Sequence, residues 1–439
     1  MIQPIDLRGR ARDRVTLGRL IPRPVVDIDV ASESARDLIA DVAARGETAL
    51  LEQSARFDGA SPHAVRVSAE EVVSALAALS PAVRSALEEA IRRVRAASAA
   101  QVPVGTRTEF GGGAVVEQRW HPVERVGLYV PGGKAVYPSS VVMNVVPAQV
   151  AGVRSIALAS PAQRDHGGGV HPTILAAAGL LGITEIYAMG GAGAIGAFAH
   201  GVPSIGLEPV DVVTGPGNVF VAAAKRLVKG LVGIDSEAGT TEILVIADSL
   251  ADPRLVAADL VSQAEHDEAA AAVLVTDSPE LAAAVERELS VIVQATAHSE
   301  RVATALSGPQ SAIVLVDDLA AAADFSNVYG PEHLELQVAD VASLLPLIHS
   351  AGAIFVGPHA PVSLGDYLAG SNHVLPTGGG ARFSSGLGAF TFLRPQQIVT
   401  YSESALAEVA PHIVALSSAE DLPAHGEAVS ARFASGHHH

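Results

Sequence analysis

The chain of 439 residues contains no cysteine, which removes disulfides, thiolate metal sites and every mechanism that needs a cysteine nucleophile. Cations are scarce: 29 Lys and Arg stand against 47 Asp and Glu, a formal charge of −18. Such a surface repels phosphate backbones and anionic lipid, and no local basic cluster reverses it, so neither nucleic acid nor membrane is an expected partner. Long apolar runs are also missing. The most apolar stretch, VVMNVVPAQVAGVRSIALA, is interrupted by Asn144, Pro147, Gln149 and Arg154, too polar and too punctuated to span a bilayer. The opening MIQPIDLRGRARDRVTLGRL has charge but no apolar h-region, so a cytoplasmic location is expected rather than secretion. The closing SGHHH resembles a truncated tag, and no role at a site is expected of His437, His438 or His439.

What the chain does have is length and apolar content, 49% of residues, enough for two or more domains. From about Ser32 to Ala99 the pattern is helical. SESARDLIADVAARG ends on Gly46 as a C-cap, and Ser68 with Glu71 makes a capping box before VVSALAALS. From Val115 onward AVVEQ, VGLYV, SIALA, EIYAM, ILVIA, AAVLV and AIVLV alternate with Ala-rich helical stretches, the pattern of an α/β fold with largely parallel sheets. Glycine-rich turns follow several strands: PGGKAVYPSS, GGAGAIG and TGPGN. Such turns bring backbone N–H groups to a ligand at the carboxyl ends of strands. Gly191, Gly193 and Gly196 spell G-x-G-x-x-G, and Asp211 follows at about 20 residues. Asp211 precedes VVTGPG, however, instead of closing a second strand, where a ribose-binding acid belongs. Close packing of the helix accounts for these glycines equally well. Past TGGGARFSSGLGAFTF the alternation stops, and a short helical tail from about Pro395 carries SSAEDLPAHGEAVSAR.

Four segments stand out chemically. In LVSQAEHD, Gln263 and His266 sit three apart on a helix, share a face and each offer a lone pair to a metal. In YGPEHLELQ, Glu332 adjoins His333 just after Gly-Pro, a pairing suited to proton transfer. GDYLAGSNHVLPT gathers Asp366, Asn372 and His373 among turn formers, and Glu420 and His425 flank Pro423 in the tail, as in a loop reaching into a site. Each has a plain structural alternative: a solvated face, a turn cap, an N-cap or an exposed tail. Together, Gln263, His266, Asp366 and His425 supply N and O ligands suited to zinc, and zinc without thiolates is typical of catalytic sites.

In order and approximate spacing, RVGLYVPGG, GPGN, IDSEAGTTEILVIAD, LVSQAEHD, GPEHLEL and GDYLAGSNHVLPT resemble the histidinol dehydrogenase family, across essentially the whole chain. The resemblance implies an α/β fold of two incomplete Rossmann-like domains with parallel-rich sheets, a small helical N-terminal segment and a small C-terminal helical tail domain. It implies an arm at 1–25, a larger domain from 26–128 and 243–387 with the zinc and catalytic residues, and an NAD-side domain at 129–242. A tail at 388–436 would be exchanged with the partner subunit, leaving 437–439 as tag remnant. The implied reaction is oxidation of L-histidinol to L-histidine, closing histidine biosynthesis, with two NAD+ and one zinc per subunit of a homodimer that shares its active sites.

Carried over by motif, Gln263, His266, Asp366 and His425 hold zinc, His425 coming from the partner, while Glu332 and His333 move protons. Thr241, His373 and Glu420 contact substrate, as do Gln263, His266, His333, Asp366 and His425; Tyr129, Gly193 and Asn218 belong to the NAD pocket. Two departures matter. Gly193 stands where the family often has Gln, leaving only backbone there, and Ala238-Gly239-Thr240-Thr241-Glu242 stands where AGPSE is common. Thr241 keeps a hydroxyl; Thr240 lacks the rigid proline. Without cysteine, the aldehyde between the two oxidations gains its oxygen from water, as a gem-diol. Other readings stay open at this point: a dehydrogenase of another small alcohol, a zinc hydrolase with Glu332 activating water, or a non-catalytic binding protein.

Overall fold

The computed structural model describes residues 2–23, 28–132, 135–237 and 239–433. Gly133 and Lys134 of the first glycine-rich turn, Ala238 of the AGTTE segment and the terminal histidines lie outside the described residues. Along the chain the strands are β1 (Gln3–Asp6), β2 (Thr106–Gly111), β3 (Ala114–Pro122), β4 (Arg125–Tyr129), β5 (Ser155–Ser160), β6 (Ile186–Ala188) and β7 (Val212–Thr214). Then come β8 (Gly233–Ile234), β9 (Glu242–Ala247), β10 (Ala271–Thr276), β11 (Ala312–Leu315), β12 (His333–Gln337), β13 (Ala353–Val356) and β14 (Leu393–Thr400).

Residues up to Gln101, together with Val123–Phe392, form one compact unit; Val102–Pro122 with the chain from Leu393 onward form another. The first unit holds two parallel sheets, ordered β6-β5-β4-β7-β8 and β1-β11-β10-β9-β12-β13. Numbered by their own chain order, each reads 3-2-1-4-5, the Rossmann order cut short, with β1 added at the edge of the larger sheet. Strands β9, β10 and β12 are buried along their full length, as expected of parallel strands covered by helices on both faces. Two apolar cores flank the larger sheet and one lies against the smaller.

Helix Ile28–Arg45 stops at Gly46, φ +55, and the Ser68–Glu71 capping box forms in both directions. The expected grouping of 26–128 with 243–387 does not describe the packing. Ala31, Ala35, Ile39 and Val42 share a core with Ala194 and Phe198 of the smaller sheet's helix. Helices Ala69–Ala78 and Pro81–Ala100 pack on Pro172–Leu180 and Pro138–Ala151. These apolar stripes are satisfied on the smaller sheet and its helices, while the N-terminal arm gives β1 to the larger sheet. The second unit is not purely helical: β14 pairs antiparallel with β3, and β3 with β2, before helices Glu403–Ala419 and Pro423–Ser430. Among the described residues no helix is long and apolar enough to cross a membrane.

Candidate active site

The site forms at the amino ends of β9 and β12, neighbours in register with His333 opposite Ile243. Gly330, left-handed at φ +59, ends helix Leu319–Tyr329, and Pro331 turns the chain so that Glu332 and His333 open β12. Both residues are buried, 6% and 4% exposed. Glu332 Oε2 accepts from the Thr241 hydroxyl at 2.6 Å and from the Glu242 N–H at 2.9 Å. Burial pushes Glu332 up to about 7, against the pull of those two hydrogen bonds; Asp366 raises it further and His266 lowers it. His333 Nδ1 lies 3.1 Å from the Glu242 carbonyl, so it donates there, and Nε2 is left buried without a hydrogen-bond partner. Burial lowers the His333 pKa, favouring a neutral ring whose Nε2 carries the lone pair. The backbone of Glu242 therefore holds both expected proton carriers, one by its N–H and one by its C=O.

Gln263 ends helix Pro253–Ala264 with Nε2 donating to Thr241 Oγ1 at 2.7 Å, which leaves Oε1 buried and unpartnered. The helix stops before His266, which lies just past the C-cap Glu265, so the two do not share one continuous helix as expected. His266 Nδ1 is tied to the Ser262 carbonyl at 3.2 Å, freeing Nε2 as a donor atom for a ligand. Asp366 lies in the short helix Val362–Tyr367, where its charge acts on Glu332, His333 and His373. His373 donates from Nδ1 to the Asp366 carbonyl at 2.9 Å and accepts at Nε2 from Ser140 Oγ at 2.9 Å. Asn372 ties the same segment to the Met143 carbonyl at 2.7 Å.

Seven expected residues are thus brought together: Thr241, Gln263, His266, Glu332, His333, Asp366 and His373. Glu420 and His425 belong to the second unit, and both are exposed. They do not share a loop: Glu420 is the C-cap of Glu403–Ala419, Asp421 turns the chain at φ +56, and Pro423 starts the helix that carries His425. A proline at the first helical position begins a helix rather than breaking one.

The residues expected in the NAD pocket sit at the carboxyl end of the smaller sheet. Tyr129 ends β4, its hydroxyl accepts the Gly191 N–H at 3.2 Å, and burial pushes its phenol up to about 12. Asn218 N-caps helix Val219–Val228, accepting from Phe220 and Val221 at 3.1 and 3.2 Å. Gly193 is buried against Gln53, whose amide oxygen a Cβ would strike, and a Cβ on Gly196 would stand 3.1 Å from Ile39 Cα. These glycines permit close helix-to-helix packing. Gly215, at φ +120, allows TGPG to run against the Tyr129 carbonyl, where any Cβ would collide. The buried Lys225–Asp235 ion pair clamps that turn, Lys225 donating to the Gly215 carbonyl at 3.0 Å and Asp235 accepting the Gly215 N–H at 2.8 Å. Asp211 accepts the backbone N–H groups of Glu124 and Arg125 at 2.8 and 3.1 Å.

Sequence reasoning missed Ser140, Asn144, Thr214 and Glu242. Asn144, wholly buried in apolar helix Pro138–Ala151, accepts from the Thr214 hydroxyl and donates to the Ser140 carbonyl, both at 2.8 Å. This polar chain runs from the end of β7 to Ser140 and His373. An amide in the middle of an apolar helix was its one visible signal. A cavity of about 600 Å³ is walled by Val219 after the TGPGN turn, by Gly239 and Thr240 before β9, and by Glu242 at its start.

Among the described residues no three His, Asp or Glu side chains converge as a metal cage. The expected zinc set asks for fewer: within the first unit it uses one imidazole, one carboxylate and the amide oxygen of Gln263. An unpartnered buried amide oxygen and an imidazole whose second nitrogen is already anchored fit such a role.

Fold and site together define the class: a two-sheet Rossmann-type enzyme with a buried carboxylate and a neutral imidazole on one sheet and glycine-rich turns at the carboxyl end of the other. The chain matches the histidinol dehydrogenase family over residues 21–433 and belongs to it, a family of oxidoreductases. Histidinol dehydrogenase from Leifsonia xyli is 69% identical over 432 residues, 98% of this chain and 99% of that one. That of Thermobifida fusca is 58% identical over 98% of both. The crystal structure of histidinol dehydrogenase from Elizabethkingia anophelis superposes with a TM-score of 0.91 at 33% identity, covering 98% of each chain.

Proposed function

We propose that this enzyme oxidises L-histidinol to L-histidine through L-histidinaldehyde, closing histidine biosynthesis. The observation that carries the reading is the Glu332–His333 pair held from both sides by the Glu242 backbone. An alcohol becomes an acid by losing two hydrides and gaining one oxygen. Tyr129, Asn218 and the Gly193 backbone, at the carboxyl end of the smaller sheet, would hold NAD+, which would supply the hydride acceptor for each of the two oxidations. Zinc held by Gln263, His266, Asp366 and His425 of the partner subunit would anchor the imidazole and amino nitrogens of the substrate.

The chain's own residues handle the protons. Neutral His333 takes the alcohol proton at Nε2 as the first hydride leaves. Glu332, ionised above about 7, takes a proton from water as it adds to the aldehyde carbon, while His333 returns its proton to the aldehyde oxygen, forming the gem-diol and leaving the ring neutral again. His333 then takes the diol proton as the second hydride leaves, giving the carboxylic acid. Thr241 holds Glu332 in place, His373 and Glu420 complete the substrate contacts, and Tyr129, Asn218 and the Gly193 backbone line the NAD side. The active sites are shared across a homodimer.

Glu332→Gln separates the steps. Aldehyde oxidation should slow by roughly 10²–10⁴, with alcohol oxidation nearly spared and histidinaldehyde detectable by mass spectrometry. Equal loss in both half-reactions would assign the water-activating base elsewhere.

A further inference from the structure

Folds with the strand order of the smaller sheet usually end their second strand on an acid that accepts ribose hydroxyls. Here the second strand, β5, runs out into Ser160-Pro161-Ala162-Gln163, without an acid. Asp211 is committed to the backbone of Glu124 and Arg125. A carboxylate reaches the place from a different segment. After helix Glu47–Gln53, residues Ser54–Asp58 form a π-helical turn closed by Gly59 at φ +60, a wide turn of the kind that gathers at functional sites.

This turn packs on the loop that leaves β5. Arg164 Nε donates to the Gly59 carbonyl at 3.1 Å, and a Cβ on Gly168 would stand 2.6 Å from the Ser61 carbonyl. Gln53, where the turn begins, lies against Gly193 in the first turn of helix Gly191–His200. Asp58 is half-buried there, near enough to Tyr129 for its charge to raise the phenol's pKa. Tyr129 in turn ends β4 and binds the Gly191 N–H. Burial pushes the Asp58 carboxyl up to about 6 against its hydrogen bond with Ser54. A carboxylate desolvated between the end of the first strand and the loop after the second gains from further hydroxyl donors.

We propose that Asp58 is the ribose-binding, dinucleotide-selecting residue of this enzyme, accepting the adenosine ribose hydroxyls of NAD and repelling the 2′-phosphate of NADP. The assignment rests on the NAD reading above and deepens it. The inserted turn supplies what β5 lacks, and the exposed Arg164 guanidinium beside Gly59 is available to a 2′-phosphate once the carboxylate is neutralised.

The test is equilibrium titration of the zinc-loaded protein with NADH and with NADPH, read by nicotinamide fluorescence, so that binding is scored apart from turnover. Wild type should prefer NADH by about tenfold or more. Asp58→Asn should weaken NADH roughly ten- to a hundredfold and bring NADPH to within about threefold of it. Asp58→Ser should do the same if the amide disturbs folding, with melting temperature as the check. Asp165→Asn, at the exposed rival acid of the same loop, should change neither affinity. A folded Asp58 variant that keeps wild-type NADH affinity and preference, or a loss that follows Asp165 instead, would overturn the assignment. Wild type that binds neither nucleotide would instead overturn the nicotinamide reading, before any variant is made.

Discussion

Thr241→Val removes one hydroxyl, nearly preserves the side-chain shape and isolates the tie that sets the charge of Glu332. That hydroxyl donates to Glu332 at 2.6 Å while accepting from Gln263 at 2.7 Å, and it opposes the burial that pushes the carboxyl up to about 7. A hydrogen bond to a charged group is worth about 1.5–3 kcal/mol, and a tenfold change in ionisation about 1.4 kcal/mol. Without the hydroxyl, ionisation of Glu332 therefore needs a pH roughly one to two units higher. Because the base must be ionised to activate water, the rate rises with pH in wild type through about 7. In Thr241→Val the same limb moves upward: kcat for histidinaldehyde oxidation falls roughly tenfold at neutral pH and recovers in alkali. The assay is NADH absorbance under saturating aldehyde, NAD and zinc across the pH range. A loss of equal size at every pH would mean that Thr241 acts only through substrate contact, and the account of Glu332 would fail.

Shared sites predict complementation. Asp366→Ala and His425→Ala, each inactive alone, should recover to about a quarter of wild-type activity after dimer exchange, because about half the dimers are mixed and each has one intact site. No recovery after verified exchange would place every ligand in one subunit. Lys225→Ala leaves Asp235, 3% exposed, without its counter-ion, and should cost about 3–5 kcal/mol in urea denaturation. A cost under about 1 kcal/mol would show that Asp235 finds solvent and that the pair does not clamp the TGPG turn.

The α/β class, the Ser68 capping box, the Gly46 helix stop and the Glu332–His333 pair were legible in the sequence because each depends on residues a few positions apart. What escaped depends on pairing across the chain. β1 joins β11 some three hundred residues on, and β14 returns to β3, neither of which local periodicity encodes. Helices Ile28–Arg45 and Pro81–Ala100 show apolar stripes, but no stripe states which sheet covers it. The role of Glu242 was invisible because its main chain does the holding, and that follows only from the β9–β12 register. Glycines at 193 and 196 read as a nucleotide motif, yet their nearest neighbours are Gln53 and Ile39. Asp58 precedes by about a hundred residues the strand end whose missing acid it would replace.

The most direct test of the whole account is the amount of NADH formed per L-histidinol consumed, measured with zinc present and again after chelation. The account requires two NADH and one L-histidine per substrate, with turnover lost on chelation and restored by zinc. One NADH per substrate with histidinaldehyde accumulating, or NADH formation indifferent to complete metal removal, would contradict it.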